Sequence, residues 1–369
     1  MAKKLWRFPH MRYGRFSNYP GERHNRTVWH AIRSFGKLLF ARAQRIPTRL
    51  KSWVSPLGNP HPLDFSSLSP EIEIIWVGHS TFLIRAGGKT ILTDPIFDSI
   101  SYFLNFKRLT KPGIAIDLLP KIDAVVISHN HPDHMDEPTL HYLKEHHNPH
   151  IFVPFGDKEW FVRRQFERVS ECTWWDNHQL SNELGITFLP AVHWSQRGLF
   201  DHNRSLWGSW MIETSHSHGK QHVYFAGDSA YGTHFKTIAQ RYSSIDVVLM
   251  PIGPSEPREL LRCSHVDAEE AGQSFLDLGA KSLVPMHWGA YRLGTECPME
   301  PIERLQSWWK NMASRLKGRN LWNLKMGERK VVPLPVSSEQ GEKPKTIITD
   351  PSLLDQTINM HQIDAHLRR

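Results

Sequence analysis

The chain has 369 residues, 40% of them hydrophobic, and three cysteines, which allows one large globular domain or two ordinary ones and excludes a small stapled scaffold. Cys172, Cys263 and Cys297 are odd in number and widely spaced, which argues against a disulfide framework or a cysteine-rich zinc module and for a reducing compartment. The net charge is +8, no apolar run approaches the roughly 18 residues of a membrane span, and no apolar secretion segment opens the sequence, so a cytoplasmic protein is predicted, soluble or peripheral on a membrane.

The charge is concentrated at the start. Residues 1–55 hold thirteen Lys and Arg against one acid, Glu22, leaving 32 basic and 36 acidic residues in the rest, so a basic arm precedes a mildly acidic body. Such an arm suits an anionic surface. Within it, 27–46 reads as a helix with Val28, Ile32, Phe35, Leu39 and Ile46 at helical spacing, stopped by Pro47. It either lies on anionic lipid or packs on the body with its charges solvated, since periodicity does not say what the stripe faces.

A catalytic body is predicted over 56–335. Strands are expected at 71–77, 81–86 and 90–93, the last two joined by a tight turn at Gly87-Gly88. Loop 99–106, SISYFLNF, carries Tyr102, Phe103, Leu104 and Phe106 beside Lys107, Arg108 and Lys111, and either dips into a lipid interface or folds into the core. Further strands are expected at 124–127, 151–153, 186–189, 223–226, 247–250 and 283–285, with helices at 137–147, 157–168, 231–240, 267–278 and 301–316. Strands followed by alternating strands and helices indicate a layered α/β fold. The tail 336–369 is polar and reads as loosely held.

The predicted strand ending at Ile127 runs through Ser128 into HNHPDH, which places His129, His131, Asp133 and His134 within six residues. In extended chain His129 and His131 share a side, and Pro132 favours a turn that brings Asp133 and His134 to a second position. Three other apolar runs end alike: 186–189 leads to His193, 223–226 to Asp228, and 283–286 directly to His287. A lone histidine there is ordinarily a satisfied core residue. Four strand ends carrying metal-type ligands point instead to a metal site at one edge of the sheet. Imidazole and carboxylate suit zinc and also accommodate iron or manganese.

HNHPDH with later His, Asp and His resembles the signature of the metallo-β-lactamase superfamily. GHST at 78–81, TDPIF at 93–97, LWGSW at 206–210, PIGPSEPR at 251–258, HVDAEEA at 265–271 and MHWGAY at 286–291 narrow the resemblance to the N-acylphosphatidylethanolamine-hydrolysing phospholipase D family. The resemblance implies a four-layered αββα sandwich with two zinc ions, one held by His129, His131 and His193, the other by Asp133, His134 and His287, and bridged by Asp228. Asp94 is expected to orient a ligand histidine, or otherwise to form the turn before Pro95. Asp133, Asp228 and His265 are the expected catalytic residues. His265 would contact the phosphate or leaving group, or otherwise be structural ahead of a helix that Asp267 and Glu270 start as a capping box.

Two such ions lower the pKa of a shared water from about 15.7 toward about 7 and neutralise phosphoryl charge, so a bridging hydroxide is the expected nucleophile and no serine or cysteine is needed. The metal site alone would serve a phosphodiester, lactone, thioester or lactam. The resemblance implies hydrolysis of N-acylphosphatidylethanolamine-type glycerophospholipids to phosphatidate and an N-acylethanolamine, with a phospholipid substrate and an anionic membrane surface as partners and room for a homodimer. Competing readings are a nuclease, a lactonase or sugar-acid hydrolase, and a scaffold protein retaining the fold. No nucleic acid is expected as a partner, because the basic residues sit in the arm and not through the body.

Overall fold

In the computed structural model, which describes residues 9–19, 48–53, 71–100, 106–217 and 219–334, period-two alternation sorts the first strands' side chains onto two cores. A hairpin of β1 (His10–Arg12) and β2 (Arg15–Ser17) precedes β3 (Ile72–Gly78), β4 (Thr81–Ala86), β5 (Lys89–Thr93), β6 (Ala124–Val126), α1 (Glu137–His146), β7 (His150–Pro154), α2 (Lys158–Val162) and β8 (Val169–Cys172). Then come β9 (Asn177–Gln179), β10 (Leu184–Leu189), β11 (Ser209–His216), β12 (Gly219–Phe225), α3 (His234–Arg241), β13 (Val247–Pro251), α4 (Arg258–Leu261) and α5 (Ala268–Leu278). The order closes with β14 (Ser282–Met286), α6 (Glu300–Asn311), β15 (Asn320–Leu321) and β16 (Arg329–Val332).

These strands form two seven-stranded sheets, ordered β16-β3-β4-β5-β6-β7-β8 and β15-β14-β13-β12-β11-β10-β9. Ile72, Ile74, Trp76, Phe82 and Ile84 of the first sheet share a core with Ile186, Phe188, Trp210 and Ile212 of the second. Their neighbours Ile75, Val77, Leu83, Leu92 and Val125 point the other way, onto Leu140 and Leu143 of α1 and Phe161 of α2. Phe235 and Ile238 of α3, Ala271 and Phe275 of α5, and Ile302 and Leu305 of α6 cover the second sheet. Helix, sheet, sheet and helix are the four layers predicted. Each fully buried side chain of this size contributes about 1.5–3 kcal/mol relative to exposure.

Several local expectations hold with shifted ends. Gly87 and Gly88 both have positive φ, and Ala86 pairs with Lys89 across the turn. Asp267 caps α5 by accepting the Glu270 N–H at 2.9 Å. The helix expected over 157–168 shrinks to α2, because Gln165 takes φ +60° and the Phe166 N–H turns back to the Phe161 carbonyl. The chain then forms β8 as an edge strand. The helix expected over 231–240 begins only at His234, and that over 301–316 ends at Asn311. β9 and β11 escape the apolar pattern because β9 is a three-residue polar edge and β11 carries Glu213 and Ser215 in its sequence. His147 at the end of α1 is buried, and its Nδ1 accepts the Ile122 N–H.

The helix expected over 27–46, Tyr102, Phe103, Leu104 and the tail 336–369 lie outside the described residues. The described ends of loop 99–106 turn inward: Phe106 is half-buried, its carbonyl accepts the Ile100 N–H at 3.1 Å, and Ile100 packs against the main core. Among the described residues no helix is long and apolar enough to cross a membrane.

Strands β5 to β8 run parallel, as do β12 to β15, so their carboxyl ends gather at one edge. Three residues leave strands there with positive φ and no glycine to ease it: His79 (+55°) after β3, Asp94 (+32°) after β5 and His287 (+62°) after β14. Such conformations cost of order 1–3 kcal/mol each and persist where packing over-determines them. Gly227, just after β12, has φ +57°, and a Cβ there would lie 2.5 Å from Ser128 Cβ and 3.0 Å from the Gly208 carbonyl. Gly227→Ala should therefore lower stability by about 2 kcal/mol or more, from a left-handed side chain plus overpacking. Urea unfolding tests this; an unchanged midpoint would show that the turn before Asp228 is not tightly held.

Candidate metal centre

Six of the seven predicted ligands lie on loops leaving β6, β10 and β12, and His287 directly follows β14. The structure brings all seven together. His134 Nε2 lies 3.4 Å from Asp133 Oδ2, 3.2 Å from Asp228 Oδ2 and 3.3 Å from His287 Nε2. His287 Nε2 is 3.6 Å from Asp133 Oδ2 and 3.2 Å from Asp228 Oδ1. Ligands at zinc distances of about 2.0–2.1 Å stand about 3.3 Å apart along a tetrahedron's edges, and these four groups keep that spacing. On the other side His131 Nδ1 is 2.8 Å from His129 Nε2 and 3.3 Å from His193 Nε2. Asp228 Oδ2 reaches both of those histidines, at 4.0 and 3.8 Å, so its carboxylate stands between the two groups.

Hydrogen bonds at the rear nitrogens of three rings fix which atom each of those rings presents. His193 Nδ1 donates to the Ser264 carbonyl at 2.8 Å. His134 Nδ1 donates to Asp94 Oδ2 at 2.7 Å, and the Ser128 N–H donates to Asp94 Oδ1 at 2.7 Å. Ser128 Oγ donates to Asp94 Oδ2 at 2.5 Å and accepts from His129 Nδ1 at 2.9 Å. Asp94 thus holds a histidine of each group, one directly and one through Ser128.

Burial opposes every charge here. It holds His129 and His193 well below the ordinary imidazole value and pushes His265 down to about 3. In His134 and His287 burial is outweighed by Asp228 and Asp133; His134 is held well above its ordinary value and His287 raised to about 9. Against the same burial, Asp133 is held well below the carboxylate range, chiefly by His134, and Asp228 by His287 and His134. The two ionised carboxylates draw positive charge to the gap between the donors. Asp228 Oδ1 is buried and makes no well-aligned hydrogen bond, facing only the His287 Nε2 that lies 3.2 Å away, an environment that suits an anionic atom whose partner is a cation. The donor set fits divalent metal.

His265 lies beside the centre, with Nδ1 3.6 Å from Asp228 Oδ2 and its ring 5.1 Å from that of His193. Arg258 Nη1 donates to its carbonyl at 2.9 Å. His79 is a site residue that the ligand pattern did not single out. Its Nε2 donates to Asp133 Oδ2 at 3.0 Å, its ring lies 4.0 Å from that of His287, and its carbonyl accepts the His287 N–H at 3.2 Å. Burial, then the nearby His287, pushes its pKa to about 3, so it serves as a neutral donor. The one available signal was its place in GHST at a strand end, the position that His193, Asp228 and His287 share.

A family profile described as "Beta-lactamase superfamily domain" matches residues 89–288. The chain is 32% identical over 288 residues to N-acyl-phosphatidylethanolamine-hydrolyzing phospholipase D 1 of Caenorhabditis elegans, covering 74% of this chain and 79% of that one. It is 35% identical over 238 residues to the mitochondrial N-acyl-phosphatidylethanolamine-hydrolyzing phospholipase D of Saccharomyces cerevisiae, covering 63% of this chain and half (50%) of that one. Among solved structures it is similar in fold to a possible metal-dependent hydrolase from Veillonella parvula, with TM-score 0.55 and 16% identity over 70% of this chain and 99% of that one. An isothiocyanate hydrolase from Delia radicum gut bacteria gives TM-score 0.53 and 16% identity, covering 70% and 98%.

If Asp94 and His79 hold the ligands as their contacts indicate, Asp94→Ala and His79→Ala should each weaken divalent-metal affinity by about 10–100-fold, and His79→Gln, which keeps a donor for Asp133, by less. Competition against a chromophoric chelator measures this. Wild-type affinity in both alanine variants would show that neither residue supports the ligands.

Proposed function

The chain belongs to the β-lactamase superfamily and, within it, to the N-acylphosphatidylethanolamine-hydrolysing phospholipase D family, and from that premise we propose that this metal-dependent hydrolase is a zinc phosphodiesterase acting on N-acylated glycerophospholipids. Its products would be phosphatidate and an N-acylethanolamine. The observation that carries the choice of substrate is the shared sequence with the worm enzyme over 288 residues, because the donor set alone suits a lactone as well as a phosphodiester.

In this reading His129, His131 and His193 hold one ion, Asp133, His134 and His287 the other, and Asp228 both. Two divalent cations so held supply acidification of water and neutralisation of charge on a phosphoryl oxygen. The chain's own residues do the rest. His131 and Asp133 are only half-buried while His129, His134, His193 and His287 are buried, so the phosphodiester approaches over the first two. Asp94, Ser128 and the Ser264 carbonyl keep three imidazoles in the tautomer that turns Nε2 inward. His265, its carbonyl held by Arg258, presents its ring beside Asp228, where it contacts the phosphoryl or leaving oxygen. A lipid substrate also brings the enzyme to a membrane surface, which the basic arm suits.

Vesicles containing N-acylphosphatidylethanolamine, offered beside lactone and nucleic-acid substrates with products identified by mass, test the proposal. Chelator-sensitive release of N-acylethanolamine is expected. Asp228→Ala should lower turnover by more than the roughly 10–100-fold that follows loss of a residue that only orients a ligand. Turnover of a lactone or nucleic acid alone would overturn the substrate.

A further inference from the structure

Exposed apolar side chains are not scattered evenly over this molecule. Of six large ones exposed among the described residues, four fall on two touching segments: Met11 (36%) and Tyr13 (87%) on the β1–β2 hairpin, and Leu199 (86%) and Phe200 (82%) on the loop after His193. The segments are tied together. The Phe16 N–H donates to the Asn203 carbonyl at 2.7 Å, and Arg15 donates to the carbonyls of Phe200, at 3.4 Å, and His202. The loop is also shaped from within, since Asp201 accepts the N–H groups of Arg197 at 3.2 Å and Gly198 at 2.9 Å. Its polar backbone is thus satisfied inward while Leu199 and Phe200 are left at the tip. Folding gains nothing from them there.

This patch adjoins the open side of the metal centre. Asn18, just past the hairpin, donates to the His193 carbonyl at 2.8 Å and accepts its N–H at 3.2 Å. The ring of the half-buried ligand His131 lies 4.2 Å from that of Trp194, which in turn lies 5.7 Å from that of His202. The charge around the patch has one sign. Residues 9–19 and 194–204 contain Arg12, Arg15 and Arg204 around the patch, whereas Asp201 is engaged in the loop and Arg197 turns away to the Met135 carbonyl and Glu137. The hairpin belongs to the arm that holds thirteen basic residues against one acid. Apolar tips beside cationic side chains match the boundary between acyl chains and anionic headgroups.

We propose that Met11, Tyr13, Leu199 and Phe200, with Arg12 and Arg15, form the face by which the enzyme enters an anionic phospholipid bilayer, so that the metal centre opens directly onto the membrane. The choice of a bilayer as occupant rests on the proposed lipid substrate. It places the contact on the hairpin and the loop after His193, while Tyr102, Phe103 and Leu104 of loop 99–106 lie outside the described residues.

The test is co-sedimentation of the full chain, metal-loaded, with vesicles of equimolar phosphatidylcholine and phosphatidylglycerol or of phosphatidylcholine alone. Leu199→Ser/Phe200→Ser should weaken binding to the mixed vesicles by about tenfold or more, with circular dichroism and metal content as in wild type. Arg12→Gln should weaken binding to mixed vesicles more than to phosphatidylcholine, and salt should erase that difference. Leu118→Ser/Val162→Ser, which removes the other two large exposed apolar residues among the described residues, should leave binding as it is. Equal binding by the 199/200 variant, equal loss in the 118/162 variant, no binding by the wild type, or a change in oligomeric state in place of vesicle binding would each overturn the proposal. Turnover is read separately: if vesicle binding depends on the patch and no phospholipid is cleaved, the substrate reading fails and the docking face stands.

Discussion

One buried carboxylate, that of Asp94, joins the two halves of the metal centre before any metal is considered. It accepts a hydrogen bond from His134 Nδ1–H directly and reaches His129 through the Ser128 hydroxyl, so one histidine of each group is aimed by the same side chain. Asp94 can do this because it leaves β5 with φ +32° and is fully buried where a hydrogen bond is strongest and an unpaired partner costs most. Ser128 is in turn pinned by Gly227, whose missing side chain lets the turn before Asp228 close against it. The backbone that supplies Asp228 and the backbone that supplies His129 are therefore packed on one another.

The chemistry follows from that frame. Seven metal-type ligands converge where burial penalises both imidazolium and carboxylate, and positive charge between Asp133 and Asp228 offsets that penalty for the two carboxylates. His79 braces the outer carboxylate and stacks on His287. What remains open is the side of His131 and Asp133, where the hairpin and the loop after His193 raise their apolar tips.

Much of this was legible in the sequence, and the reasons it was are physical. Period-two runs such as Ile72–Gly78 separate two cores, so strand identity was visible in the apolar pattern, and ligand-type residues at strand ends declared the edge of the sheet. β11 was not visible because an interior antiparallel strand bearing Glu213 and Ser215 lacks a continuous apolar run. The hairpin His10–Ser17 was hidden because its residues are mostly polar and its docking on Asn203 and His193 is a long-range contact. His79 was hidden because a single histidine carries no spacing. Composition alone cannot tell whether the aromatic side chains of loop 99–106 face lipid or the core; of its large apolar residues, Ile100 packs against the main core and Phe106 is half-buried.

The central claim is that two divalent cations share these seven donors, and metal content after equilibrium dialysis tests it most directly. The account predicts two zinc ions per chain, falling to one in His129→Ala/His193→Ala, which removes ligands of one group and spares the Asp133, His134 and His287 group. A wild-type chain that retains no metal, or a double variant that still holds two ions, would contradict it.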